Sequence, residues 1–149
     1  TDLWSHPREL PKNIKFFKKE KLDLLIMSRY LPGSKIINWP LRRRIFSFFS
    51  NKLANFLLKA NVSDYTMGYR IYSKKAVIQI ANNCGKVGSG FIVLSEILAE
   101  LCYNNYKIKD TKTTFINREK GDSTVGFKLS YESLIGIFKI YFKYRRIKI

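Results

Sequence analysis

The sequence predicts an α/β domain, and three observations carry that class. Segments with helical apolar spacing alternate with short strand-like runs along the chain. One of those runs, LDLLIMS at 22–28, is almost wholly apolar, the look of a strand buried on both faces as in a parallel sheet. The 149 residues, 46% hydrophobic and 15% aromatic, suffice for one domain with a true core and exclude a disordered basic tail.

The elements follow in order. PRELPKNIKFFKKEK sets Ile14, Phe16 and Phe17 among lysines and predicts a short helix with a basic outer face. The strand at 22–28 comes next. LPGSKIIN reads as a loop, with Pro32-Gly33 as its turn signal. From 41 to 59, Ile45, Phe48, Phe49, Leu53, Phe56 and Leu57 recur at helical spacing, and Arg42, Arg43 and Arg44 occupy the first turn. NVSDYTMGYRIYSK is a loop running into a short strand. KKAVIQIANN is a helix stopped by Asn-Asn-Cys-Gly, and 90–106 is another helix. KIKDTKTTFIN alternates and reads as one strand, with Ile108 and Phe115 as inward anchors. REKGDSTVG is a polar loop. The last stretch, 130–149, is a helix with Leu134, Ile137, Phe138, Tyr141 and Phe142 on one side and Lys139, Lys143, Arg145, Arg146 and Lys148 crowding its end. That pattern suits a helix lying in a membrane interface, or equally one that covers the core. Residues 1–129 and 130–149 are accordingly read as a catalytic portion and an appended amphipathic basic helix.

Charge narrows the partners to a class. With 28 basic and 11 acidic residues the formal net charge is +17, which attracts polyanions: nucleic acid, anionic lipid or phosphate-bearing substrates. No apolar run reaches the ~20 residues needed to span a bilayer, and the start has no signal-peptide pattern. The first residue is Thr, so the chain is expected to begin inside a longer or processed product. Cys84 and Cys102 lack metal-like spacing and have one histidine in the chain to help them, which favours a reducing compartment.

Several residues invite chemistry. Arginines in the first turn of a helix oppose its dipole, so the triplet there expects an anion, and free N–H groups with guanidinium forks would hold a phosphate. Asp64 and Arg70 flank YTMGY, either as a structural pair or around a close backbone approach to a ligand. Glu96 sits between Leu94 and Leu98 on an apolar helix and must pair or hydrogen-bond there, as a structural or a functional group. Lys112, Arg118 and Lys120 surround the Gly121 loop, a second anion site by composition. Asp2, alone, reads as a cap or turn residue.

In order, DLWSHP, DLLIMSRYLPG, NWPLRRR, SDYTMGYRIY, GFIVLSEIL and FINREKGDST resemble the C-terminal half of a family 2 glycosyltransferase. The similar branch is that of dolichol-phosphate mannose synthases and their bacterial polyprenyl-phosphate relatives. The resemblance covers nearly the whole chain and implies part of a GT-A, Rossmann-like fold lacking its N-terminal nucleotide-binding half. It implies inverting transfer of a hexose, mannose in that branch, from a nucleotide sugar such as GDP-mannose to a polyprenyl or dolichyl phosphate. The setting it implies is peripheral, on the cytoplasmic face of a membrane. In the family pattern a D-x-D motif binds Mg²⁺ or Mn²⁺, and Asp2 matches its second Asp. Arg29 and Arg118 match positions that contact donor phosphates, and the segment from Trp39 through Arg42, Arg43 and Arg44 matches the region of the acceptor phosphate. Arg70 joins this substrate-binding set. Asp64 and Glu96 are the catalytic candidates, Asp64 the better, and both are expected to orient groups rather than abstract a proton, because the acceptor is already an anion. Thr124 stands where the family often has Lys, Leu94 where Gln is common, and Trp4 interrupts the first motif; these departures bear on the sugar and acceptor. Two other readings are a basic nucleic-acid-binding module, for which no recognised motif is present, and a non-catalytic remnant of the family.

Overall fold

A computed structural model describes residues 7–88, 91–117 and 127–146. A 3-10 turn (Pro7–Glu9) leads into α1 (Leu10–Lys19), then β1 (Leu24–Ser28), β2 (Lys35–Ile37), α2 (Leu41–Leu58), β3 (Arg70–Tyr72), α3 (Lys74–Asn83), α4 (Phe91–Tyr103), β4 (Ile108–Lys112), β5 (Thr114–Ile116) and α5 (Phe127–Arg146). The α/β class expected from the sequence is what is observed.

β1 is the middle strand of a three-stranded sheet, parallel to β4 and antiparallel to β3. All its residues are buried, because both faces are covered. Leu24 and Ile26 point into a core shared with Ala54 of α2, Tyr65, Leu98 and Leu101 of α4, and Ile137 of α5. Leu25 and Met27 point the other way, toward Leu22 and the α1 rings Phe16 and Phe17. The strand is therefore a central layer between α1 and the α2–α4–α5 group, and its uniform apolar character follows. The sheet itself is mixed rather than purely parallel.

Two strand readings change. The segment read as a loop after β1 contains β2, and the segment read as one strand at 107–117 is two, β4 and β5, which belong to different sheets. β5 pairs in parallel with β2, Ile36 opposite Phe115. Thr113 marks the break. Its carbonyl accepts Lys35 N–H (3.1 Å), its N–H reaches Ser34 Oγ (3.4 Å), and its hydroxyl donates to Glu9 Oε2 (2.7 Å). Those partners draw the chain away from β1, so a continuous alternating pattern conceals a change of sheet. Phe115 is buried as expected, whereas Ile108 is half-buried. Leu31–Ser34 is closed by Ser34 N–H to Leu31 O (3.0 Å) with Gly33 at φ +86°, the Pro-Gly combination of a type II turn.

α5 is an integral helix of the core. Ile137 and Ile140 are buried, and Gly136 lies so close to α4 that a Cβ there would overlap Ile92. The face expected from the sequence splits: Ile137 is buried, Leu134 and Tyr141 are half-buried, and Phe138 and Phe142 are exposed. Lys143, expected to reach lipid head groups, instead meets the buried Glu96 carboxylate. Residues 147–149, with Lys148, lie outside the described residues.

Candidate active site

The C-terminal end of β1 delivers Arg29 beside the 61–69 loop. Arg29 is only 8% exposed. Its Nε donates to Asp64 Oδ2 (2.7 Å), its Nη2 to Asp64 Oδ1 (2.8 Å) and Thr66 Oγ1 (2.6 Å), and its backbone N–H to Oδ2 (3.2 Å). Asp64 Oδ1 also accepts the N–H groups of Thr66 (3.2 Å) and Met67 (3.1 Å). The loop is thus wound around this carboxylate, and the bidentate fork fixes both partners. Three rings enclose the guanidinium carbon: Trp39 at 4.8 Å, Tyr30 at 5.4 Å and Phe115 at 5.4 Å. Burial opposes the charge of Arg29, but the Asp64 hydrogen bonds more than offset it and hold the guanidinium above its ordinary pKa. Among the described residues no hydrogen bond engages Nη1, and Arg29 lines a pocket of about 390 Å³.

That pocket lies between the turn after β1 and the first half of α2. Arg29, Tyr30 and Ser34 form one side, and Arg44, Ile45 and Phe48 lie on the α2 side. The start of α2 has Pro40 as N-cap, no side-chain cap and no acid in its first turn. No ion pair among the described residues engages Arg42, Arg43 or Arg44. The N–H groups of Arg43 and Arg44 donate to Pro40 O (3.0 and 3.1 Å), so what the start of α2 brings to the mouth of the pocket is its positive dipole end, with Leu41 and Arg44 in the lining, an arrangement that fits an anion. Arg42 is exposed and Arg43 half-buried outside the pocket lining. Trp39 packs against Phe115 (5.3 Å) and Arg29, so it shapes the cation rather than the pocket wall.

The other candidates are placed elsewhere. The carboxylate partner of Arg29 is Asp64; Arg70 does not pair with it and instead donates to the carbonyls of Met67 (2.8 Å), Leu94 (2.9 Å) and Tyr65 (2.8 Å), bracing the loop against α4. Glu96 is fully buried away from the pocket lining, accepting Gly85 N–H (2.9 Å) and Lys143 Nζ (2.9 Å). Beside it Glu100 accepts from Tyr144 (2.6 Å) and Gln79 (2.7 Å), so two buried acids seat α5 and α3 on α4. Burial, with Glu96 and Glu100 nearby, pushes the Cys84 thiol up to about 12, which leaves it protonated and a poor nucleophile. Asp2, Trp4, Arg118, Lys120, Gly121 and Thr124 lie outside the described residues. Among the described residues no group of three or more His, Cys, Asp or Glu could hold a metal ion.

Sequence reasoning missed Tyr30, Ser47, Asn51 and Thr66. Tyr30 donates to Ser47 Oγ (2.7 Å), and Asn51 Oδ1 receives Tyr65 N–H, which ties α2 to the Asp64 loop. The available signal was the polar stripe Ser47, Ser50 and Asn51, at i, i+3 and i+4 within an otherwise apolar helix.

Comparison with known proteins identifies the family. Residues 1–81 match the family described as Glycosyl transferase family 2. The chain is 33% identical over 101 residues to a polyprenol monophosphomannose synthase of Mycolicibacterium smegmatis, covering 68% of this chain and 38% of the relative. It is 28% identical over 132 residues to an undecaprenyl-phosphate mannosyltransferase of Micrococcus luteus, covering 88% of this chain and 53% of the relative. The chain thus spans about half, or less, of the length of these relatives. The matched segment contains β1, Arg29, the arginine triplet and Asp64, and on that extent of agreement the chain belongs to glycosyl transferase family 2.

Proposed function

We propose that the protein transfers mannose from a nucleotide sugar of the GDP-mannose kind to a polyprenyl phosphate at a membrane surface. The observation that carries this is the α2 pocket, in which Arg29, Arg44 and the positive end of α2, which has no acid in its first turn, adjoin a wall of Ile45, Phe48 and Phe49. A phosphate fused to an apolar chain needs that pairing of surfaces. The names of the two relatives point to the same acceptor class and the same sugar.

In this reading Arg44 and the α2 N-terminus hold the acceptor phosphate, with an oxygen free to attack the sugar. That oxygen is already anionic at neutral pH and requires no general base. Asp64 suits this, since its two oxygens are occupied by Arg29 and the loop N–H groups; it holds Arg29 in place. Arg29, buried and in the pocket lining, would serve where a donor diphosphate and an acceptor phosphate meet, and Arg118 is assigned to the donor phosphates by the family resemblance alone. Arg42, exposed, and Arg43, half-buried, lie outside the pocket lining and would be available to lipid head groups. Mg²⁺ or Mn²⁺, with Asp2 among its ligands, would neutralise the leaving diphosphate.

The test uses the full-length protein with radiolabelled GDP-mannose and a polyprenyl phosphate, reading label in the organic phase. Lipid-linked mannose is expected. Arg44→Gln is expected to lower kcat/KM about tenfold or more, the loss of one charge-assisted phosphate contact. Failure of every polyprenyl phosphate tried to accept mannose or another nucleotide-linked hexose would overturn the reading.

A further inference from the structure

We infer that the pocket reads only the phosphate and the isoprene units next to it, and that the aromatic ladder Tyr30–Phe48–Phe49 does the reading; this rests on the acceptor assignment above. Size is the first ground. A pocket of about 390 Å³ lies at the low end of the range for small-molecule sites, far too small for a long polyprenyl chain. Geometry is the second. Arg44 and Phe48 stand at i and i+4 on α2, so a phosphate held by Arg44 lays its first carbons along Phe48. Phe48 meets Tyr30 edge-on (5.9 Å, 68°) and Phe49 edge-on (5.8 Å, 78°). The Tyr30 hydroxyl is held by Ser47, which fixes the ladder at one end. Such rings present flat, rigid faces to a planar, methyl-bearing alkene at little entropic cost. The third ground is the exit. Phe49 is 65% exposed, and the Lys52 ammonium lies over the Phe48 ring (5.6 Å), so the ladder ends at the surface. Everything beyond the first units leaves the protein there and is not recognised.

The experiment is calorimetric titration of the full-length protein with inorganic phosphate and with monophosphates of one to five isoprene units, each kept below its micelle concentration. Affinity is expected to tighten roughly tenfold per unit over the first two or three and then level off. Phe48→Ala is expected to flatten the series to the affinity of the shortest member while leaving inorganic phosphate unchanged. Phe48→Leu, which keeps apolar volume, retains the fold and part of the slope. Affinity that keeps climbing through five units overturns the inference, as does a Phe48→Ala loss equal for every probe including phosphate. If the series binds as expected but no sugar is transferred, the acceptor assignment falls and the recognition stands. If neither phosphate nor any member binds, both fall.

Discussion

Asp64 is buried to 0% exposure and Arg29 to 8%, and each is the other's only ion-pair partner among the described residues. A pair this deep is stabilised less by its mutual attraction than by the cost of separating it, because removing one partner leaves an uncompensated charge in the core. Asp64→Ala is expected to destabilise the protein by about 3–5 kcal/mol in urea denaturation, and Asp64→Leu combined with Arg29→Met to recover most of that loss. A single-variant loss near zero would show that the pair is hydrated and not a core element. Glu96 obeys the same rule beside Lys143, which is why a carboxylate that looked available for chemistry on an apolar helix is engaged in seating α5.

Between elements, Asp23 joins three of them. Just before β1, its side chain accepts Lys107 N–H (3.0 Å), Ser73 Oγ (3.0 Å) and Lys75 Nζ (3.1 Å), and its carbonyl accepts Ser73 N–H (2.9 Å). Ser73 is in turn the N-cap of α3, accepting Ala76 N–H. Burial works against ionisation of Asp23, but the hydrogen bonds from Lys107, Lys75 and Ser73 outweigh it and hold the carboxyl below its ordinary value of 3.8. A carboxyl with a lowered folded pKa contributes stability above the unfolded value, and that contribution disappears as pH falls through the folded value. Asp23→Asn is therefore expected to destabilise at pH 7, with the gap to the parent narrower at pH 3, below the ordinary value of 3.8, as measured by denaturant titration at both. A gap that stays constant between the two would assign the effect to packing instead of charge.

At the scale of the molecule, +17 of formal charge coexists with a broad exposed apolar helix face. Leu41 (68%), Phe49 and Phe56 (75%) protrude from α2, and Phe138 and Phe142 from α5. No helix among the described residues is long and apolar enough to cross a membrane. Under the proposed function the exposed α2 side chains and their neighbouring arginines would lie on an anionic bilayer, where each cation would contribute about 1 kcal/mol. Arg42→Gln, Arg43→Gln and Arg44→Gln together are expected to weaken flotation with anionic vesicles by roughly a hundredfold in affinity, with the difference fading at high salt. Equal flotation of parent and variant would remove α2 from the contact.

Local rules made much of this protein readable. The helical spacing of α2, the buried run of β1, the turn at Pro32-Gly33 and the placing of three arginines in the first turn of α2 are all consequences of period and propensity, which act over a few residues. What those rules could not decide was pairing. That Asp64 meets Arg29 rather than Arg70, that β4 and β5 join different sheets, and that Glu96 meets Lys143 depend on contacts across 35, 79 and 47 residues of chain. Such contacts are chosen by which carboxylates burial forces to find a partner and by what the fold brings within reach. The sequence by itself determined the layers and the chemistry available to the site. The tertiary structure alone decided which of those groups face the pocket and which hold it open.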